Sequence, residues 1–225
     1  MKQILEAQSR RIMDIIEYLS LDVDHATINE LADLTMSSPK TTLSDLSLIH
    51  DNWGELLGMI KYRDIVSFQN QSTALMHIVY RDIFDHSLPV LFIKELFDNP
   101  HQNIETYAFN LHTSESSLYR LLPRLNKIFN KYYFYIDNQG STYSIYSHNE
   151  SYVRFFFALF YLETNYSDNA FNDQEIKVLS KIMEGIFKNY APQADEVHHT
   201  FLNVYYYIAL TRELQGFNGE YFKDL

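Results

Sequence analysis

Residues 103–146 read NIETYAFNLHTSESSLYRLLPRLNKIFNKYYFYIDNQGSTYSIY, and the order of patterns in this stretch decides the fold. A short helix comes first, with Ile104, Tyr107, Ala108 and Leu111 on one face. Ala108 is small where two helices must cross closely. A polar turn follows. In the next helix Leu118, Leu121, Leu122, Leu125, Ile128 and Phe129 recur at amphipathic steps. The opposite stripe carries Ser117, Arg120, Arg124, Lys127 and Lys131. Thr113 or Ser114 can cap this helix, because a hydroxyl there satisfies an orphan amide of the first turn. The free helix N-terminus favours a phosphate. Tyr132, Phe134 and Ile136 then alternate with Tyr133, Tyr135 and Asp137, the period of a strand. Residues 137–140 supply the turn and 142–146 the return strand. Helix, turn, helix and hairpin predict a winged helix-turn-helix, whose usual ligand is duplex DNA. The alternative is a helical hairpin and a β-hairpin with no role at DNA.

LHTSESSLYRLLPRLNKIF, residues 111–129, resembles the helix-turn-helix signature of the Mga/RofA-like regulators, the group that includes the anthrax toxin activator. The resemblance rests on the Ser/Thr-rich turn from Thr113 to Ser117, the Leu118-Tyr119-Arg120 step and the Leu125-Asn126 pair. It implies a transcriptional regulator of Gram-positive bacteria. On this pattern the residues expected at DNA are Ser114, Ser116, Ser117, Tyr119, Arg120, Arg124, Lys127 and Lys131. Pro123 departs from what a DNA-reading helix wants: it removes a backbone bond and is expected to kink the helix, at a cost of about 3 kcal/mol.

Working outward, residues 1–70 repeat the plan in degenerate form. Ile12, Ile15, Ile16 and Leu19 give a first apolar face, and Thr27 can cap a helix bearing Ile28, Leu31, Ala32 and Leu34. Ser37-Ser38-Pro39 makes the turn, with Pro39 placed as a first helical residue. The next helix is expected to bury Leu43, Leu46, Ile49 or His50, and Trp53, and to expose Lys40, Thr41, Ser44, Asp45 and Ser47. Lys40, Thr41 and Ser44 are its candidate DNA contacts, with Asp45 opposing phosphate. Residues 56–60 and 62–68 are expected as wing strands around a turn near Lys61. The family resemblance implies a helix-turn-helix here too. A packing or dimerising unit is the alternative.

The fold class expected is therefore mainly α with small β-hairpin wings, as tandem winged units followed by a helical bundle. The expected domains are 1–70, 71–148 and 149–225. Leu75, Ile78, Val79, Ile83 and Phe84 mark a helix expected to link the two winged units. After residue 149 the chain reads as helical, with residues 152–164 nearly apolar, an amphipathic run over 173–190 broken at Pro192, and a last helix over 197–214. In the family this position begins a phosphotransferase-system regulation domain, which dimerises and accepts phosphate on histidine. That implies a phosphodonor from that system as a partner, with His198 and His199 the candidate phosphoacceptors and an inert surface pair the alternative. The crowding of Phe155, Phe156, Phe157, Phe160, Tyr161, Tyr205, Tyr206 and Tyr207 onto two helices predicts a homodimer through 151–214.

The formal net charge is −11, which weighs against DNA unless the cations are gathered locally. They are: residues 71–145 hold 6 Lys and Arg against 7 Asp and Glu, whereas 1–70 and 146–225 each hold 6 against 11. The absence of cysteine rules out a disulfide framework and a cysteine zinc finger and fits a reducing cytoplasm. Glu6, Arg10, Arg11 and Asp14 interrupt any signal-peptide core, and residues 155–162 are too few to span a bilayer, so no membrane association is expected. There is no glycine-rich phosphate loop, H-E-x-x-H or G-x-S-x-G, so no enzyme and no cofactor is expected. The leading expectation is a regulator that reads duplex DNA. The alternatives are an interaction module that kept the winged fold without DNA affinity, and a plasmid replication initiator.

Overall fold

The computed structural model describes residues 1–164, 181–182, 184–185, 188–189 and 196–217. The chain divides into compact units at Lys2–Val90 and Leu91–Leu225. It is mainly helical, with two three-stranded antiparallel sheets among the described residues.

In the first unit α1 (Ala7–Glu17) leads through a short π-turn to β1 (Ala26–Thr27), α2 (Ile28–Leu34), α3 (Pro39–Leu57), β2 (Met59–Tyr62), β3 (Ile65–Phe68) and α4 (Thr73–His86). The sheet order is β1-β3-β2. The boundaries have local causes. The Thr27 side chain accepts from the Glu30 amide while Glu30 reaches back to Thr27, a capping box that draws the Glu30 carboxyl below its ordinary range. Ser38 caps α3 and Pro39 occupies its first turn. Gly58 ends α3 in the left-handed region, φ 59°, where an added Cβ would also press on the Gln69 Cβ at 3.0 Å. That stop sets the wing at 59–62 and 65–68 with its turn at Arg63-Asp64, not near Lys61 as the sequence suggested. The phase of α3 differs as well. Thr42 is buried where Leu43 was expected, and Leu43 is exposed. Helix α4, expected as a linker, packs against α1 and α3 inside this unit and buries Met76, Val79, Ile83 and Phe84. Its Asp82 Oδ2 accepts a 2.8 Å bond from the Trp53 indole, which holds it there.

Helix α5 (Leu88–Asp98) crosses the boundary between the units. The second unit continues with β4 (Gln102–Asn103), α6 (Ile104–Asn110), α7 (Glu115–Phe129), β5 (Phe134–Gln139), β6 (Thr142–Ser147), α8 (Glu150–Glu163) and α9 (Glu196–Leu214). Sheet order β4-β6-β5 repeats that of the first unit. The hairpin turn is Gly140-Ser141, with φ 62° and 84°; paired left-handed residues give the twist that a two-residue hairpin needs. Tyr132 was expected in β5 but lies in a 3-10 turn, because Tyr133 adopts φ 64° and the strand starts only at Phe134. Tyr107 is fully buried, and its hydroxyl donates to the carbonyl of Asn99 at 2.8 Å, tying α6 to the chain before β4; burial pushes its pKa up.

The core of the second unit is aromatic. Phe97 meets Phe157 with ring centroids 4.4 Å apart and Tyr161 at 5.3 Å, while Phe156 fills the space between Phe129 and Phe134. Helices α8 and α9 pack on each other, burying Val153, Phe157, Val204 and Ile208. Most of the amphipathic run expected over 173–190 lies outside the described residues. No helix among the described residues is long and apolar enough to cross a membrane.

Candidate nucleic-acid interface

The turn between α6 and α7 is built from backbone bonds. Leu111 N–H donates to the Tyr107 carbonyl at 3.0 Å, His112 turns left-handed at φ 50°, and Thr113 N–H donates to the Ala108 carbonyl at 2.9 Å. Ser114, rather than Thr113, is the cap: its oxygen accepts from the Ser117 amide at 3.2 Å. The hydroxyls of Ser116 and Ser117 each lie 2.9 Å from that of Ser114. Three hydroxyls therefore gather at the positive end of a 15-residue helix.

The solvent face of α7 carries Ser116, Tyr119, Arg120 and Lys127, all exposed, with Ser117 and Arg124 half-buried. Arg120 folds back on its own helix, donating to the Ser116 carbonyl at 3.2 Å and to the Ser117 hydroxyl at 3.5 Å. This places a guanidinium over the serine cluster. Lys131 is not on this stripe. The helix ends at Phe129, and Lys131 is exposed in the 3-10 turn that follows. Pro123 does not end α7: residues 115–129 form one helix through it, with the ring exposed. Pro123 has no N–H to give the carbonyl one turn earlier, and an exposed helix face leaves that carbonyl to water.

Asn126, read from sequence only as half of a Leu-Asn pair, holds the helix to the wing. Its amide nitrogen donates to the Ile136 carbonyl at 2.8 Å and its oxygen accepts from the Ile136 N–H at 2.7 Å. One side chain thus serves both groups that the edge strand β5 would otherwise leave open at that position.

In the first unit Lys40 and Ser44 are exposed on α3, and the Thr41 hydroxyl lies 2.9 Å from Ser38 in the cap. Asp45 does not oppose phosphate. It is fully buried, its carboxylate taking Arg11 Nε at 2.6 Å, Arg11 Nη2 at 3.2 Å and Gln8 at 3.1 Å, so it joins α3 to α1. The carboxylate holds the Arg11 guanidinium above its ordinary pKa. Sequence reasoning expected this wing but put its turn near Lys61 and missed the cations at its tip. Lys61, Tyr62 and Arg63 are exposed at its tip, and the Arg63 guanidinium lies 5.3 Å from the Tyr62 ring centre. Placing the turn at Lys61 had hidden that both cations share this tip. The wing of the second unit ends instead in Asp137, Asn138 and Gln139.

His198 is exposed and His199 half-buried in the first turn of α9. No cluster of three metal-ligating residues occurs among the described residues.

The chain has a recorded relative in Streptococcus pneumoniae serotype 4, named "Putative trans-acting regulator", to which it is 25% identical over 189 residues. The aligned part covers 84% of this chain and 38% of the relative, so the chain spans well under half of that protein's length. Residues 72–161 match the family model of the Mga helix-turn-helix domain, a span that holds α6, α7 and the wing. The sequence resemblance and the winged geometry agree with that match: over residues 72–161 the chain is similar to the Mga helix-turn-helix domain.

Proposed function

We propose that this protein is a DNA-binding transcriptional regulator that reads promoter DNA with α7. The observation that carries this reading is the exposed face of α7. Arg120 and Lys127 lie on a capped helix whose other side is packed, beside a serine cluster at its N-terminus. A helix so presented can enter a major groove, with its hydroxyls and first-turn amides at a phosphate and Arg120 at a base edge. In the first unit the wing cations Lys61 and Arg63, with Lys40, add phosphate contacts.

Two copies acting together offset the weak charge of each. Tyr152, Phe155 and Leu159 form an exposed stripe on α8, and Tyr206, Leu210 and Leu214 form another on α9, which supports a homodimer through the helical region. The exposed His198 keeps its candidacy, with His199, as a phosphoacceptor for a phosphotransferase-system donor.

The test is fluorescence anisotropy with promoter fragments at several salt concentrations. Binding whose logarithm falls linearly with log salt supports the reading. An absence of binding at low salt overturns it in favour of an interaction module, which the net charge of −11 would suit.

A further inference from the structure

The end of α9 is fastened to the sheet of its own winged unit by a buried arginine. Arg212 is fully buried. Its guanidinium pairs with Glu150 at the start of α8 and donates to the Ile145 carbonyl of β6 at 2.9 Å. Phe217 lies across the guanidinium, 3.6 Å from its carbon to the ring centre, and stacks on His101 at 5.1 Å. Arg154 donates to Glu213 at 2.7 Å and to the Phe217 carbonyl at 3.3 Å, and Gln215 donates to the Phe97 carbonyl at 2.8 Å. These polar and ring contacts converge on residues 212–217.

Ile145 is the register partner of Ile136 across β5 and β6. Ile136 is the residue whose N–H and carbonyl are both taken by Asn126 of α7. Both isoleucines therefore point backbone groups outward from the hairpin, as a non-hydrogen-bonded pair does; such pairs bring the strands closest together. One rung of the sheet runs from the buried arginine of α9, through Ile145 and Ile136, to the asparagine of α7. Both isoleucine side chains are buried.

We propose that this rung is a mechanical coupling between the helical region and the reader helix: a shift of the end of α9 moves β6, the β5–β6 pair and α7 together. The fold gives the coupling its stiffness, because both outer contacts are made to backbone groups of paired strands and leave no side-chain rotamer between them. Any ligand, modification or partner that repositions α9 would then bias α7 through it. The coupling itself stands on the geometry; its use in regulating DNA binding rests on the reading of α7 given above.

The experiment is amide hydrogen exchange on the full chain, wild type against Phe217→Ala and, separately, Asn126→Ala. Phe217 is half-buried, so its loss should leave the fold intact. With coupling, Phe217→Ala speeds exchange about tenfold in peptides spanning 115–137 as well as at 196–217, while 7–86 is unchanged. Asn126→Ala speeds exchange reciprocally at 208–217. Faster exchange confined to the mutated end in both variants overturns the coupling. If Phe217→Ala unfolds the unit, the Asn126→Ala result decides alone. Promoter binding is measured on the same samples: a chain that fails to bind DNA overturns the functional reading and leaves the exchange result to decide the coupling.

Discussion

In the first winged unit Met36 turns left-handed and Ser38 caps α3; in the second His112 turns left-handed and Ser114 caps α7. Counted from those caps, Lys40, Ser44, Leu48 and Asp51 of α3 stand where α7 has Ser116, Arg120, Arg124 and Lys127. The second unit thus carries cations along α7, where α3 of the first carries a serine, a leucine and an aspartate. The wings reverse this. Lys61 and Arg63 crown the first, while Asp137, Asn138 and Gln139 crown the second. One scaffold can gather its cations on either helix or wing, because both face solvent and neither choice touches the core. A helix with Arg at a groove-facing position suits base reading, whereas cations on a wing tip suit phosphate contact.

The units also differ in what holds α3 and α7, and that difference is the easiest to break. In the first unit α3 is tied to α1 by the Arg11–Asp45 pair. Replacing Arg11 by Ala strands a buried carboxylate and should cost about 3 kcal/mol of stability in that unit. Chemical denaturation followed by Trp53 fluorescence reads this directly, since Trp53 is the single tryptophan. A loss below about 1 kcal/mol would show that water reaches Asp45 and that the tie is weak.

In the second unit the tie is Asn126 to Ile136. Asn126→Ala removes two hydrogen bonds and leaves strand groups open, so the second unit should lose about 1–3 kcal/mol. His50, at the matching place in α3, is exposed, and His50→Ala should change stability by less than about 0.5 kcal/mol. Thermal unfolding of the two variants separates them, and equal effects would break the contrast.

The wings sharpen the comparison further. Replacing Lys61 and Arg63 together by Ala should lower the salt slope of DNA binding by about 1–2 while leaving sequence preference unchanged. Gln139→Ala should alter binding by less than about 0.5 kcal/mol, because a neutral side chain displaces no counterion. A large loss from Gln139→Ala would show that the second wing reads a groove.

What the sequence carried of this comparison depends on which forces leave local traces. Periodic leucines placed α7, and caps and turn residues placed both helix-turn-helix units, since these are local preferences. The phase of α3 was misread at Leu43 and Asp45 because a buried ion pair with Arg11 looks like a polar surface residue until the partner is known. Lys131 was misassigned because the amphipathic period continues past Phe129 into a 3-10 turn. The wing cations were misplaced because the one local signal that separates a turn at Lys61 from one at Arg63, a left-handed glycine ending α3 at Gly58, was not used. The roles of Asn126 and Arg212 had no local signal, since each depends on a strand brought alongside by the fold.

The central claim is that α7, and not α3, reads DNA. Anisotropy titrations of one promoter fragment with Arg120→Ala plus Lys127→Ala, against Ser44→Ala plus Asp51→Ala, test it most directly. The account predicts that the first pair lowers affinity about tenfold or more and flattens the salt dependence, while the second leaves affinity unchanged or slightly raised by the loss of an aspartate. With both proteins folded, unchanged affinity in the first pair, or a tenfold loss in the second, would contradict it.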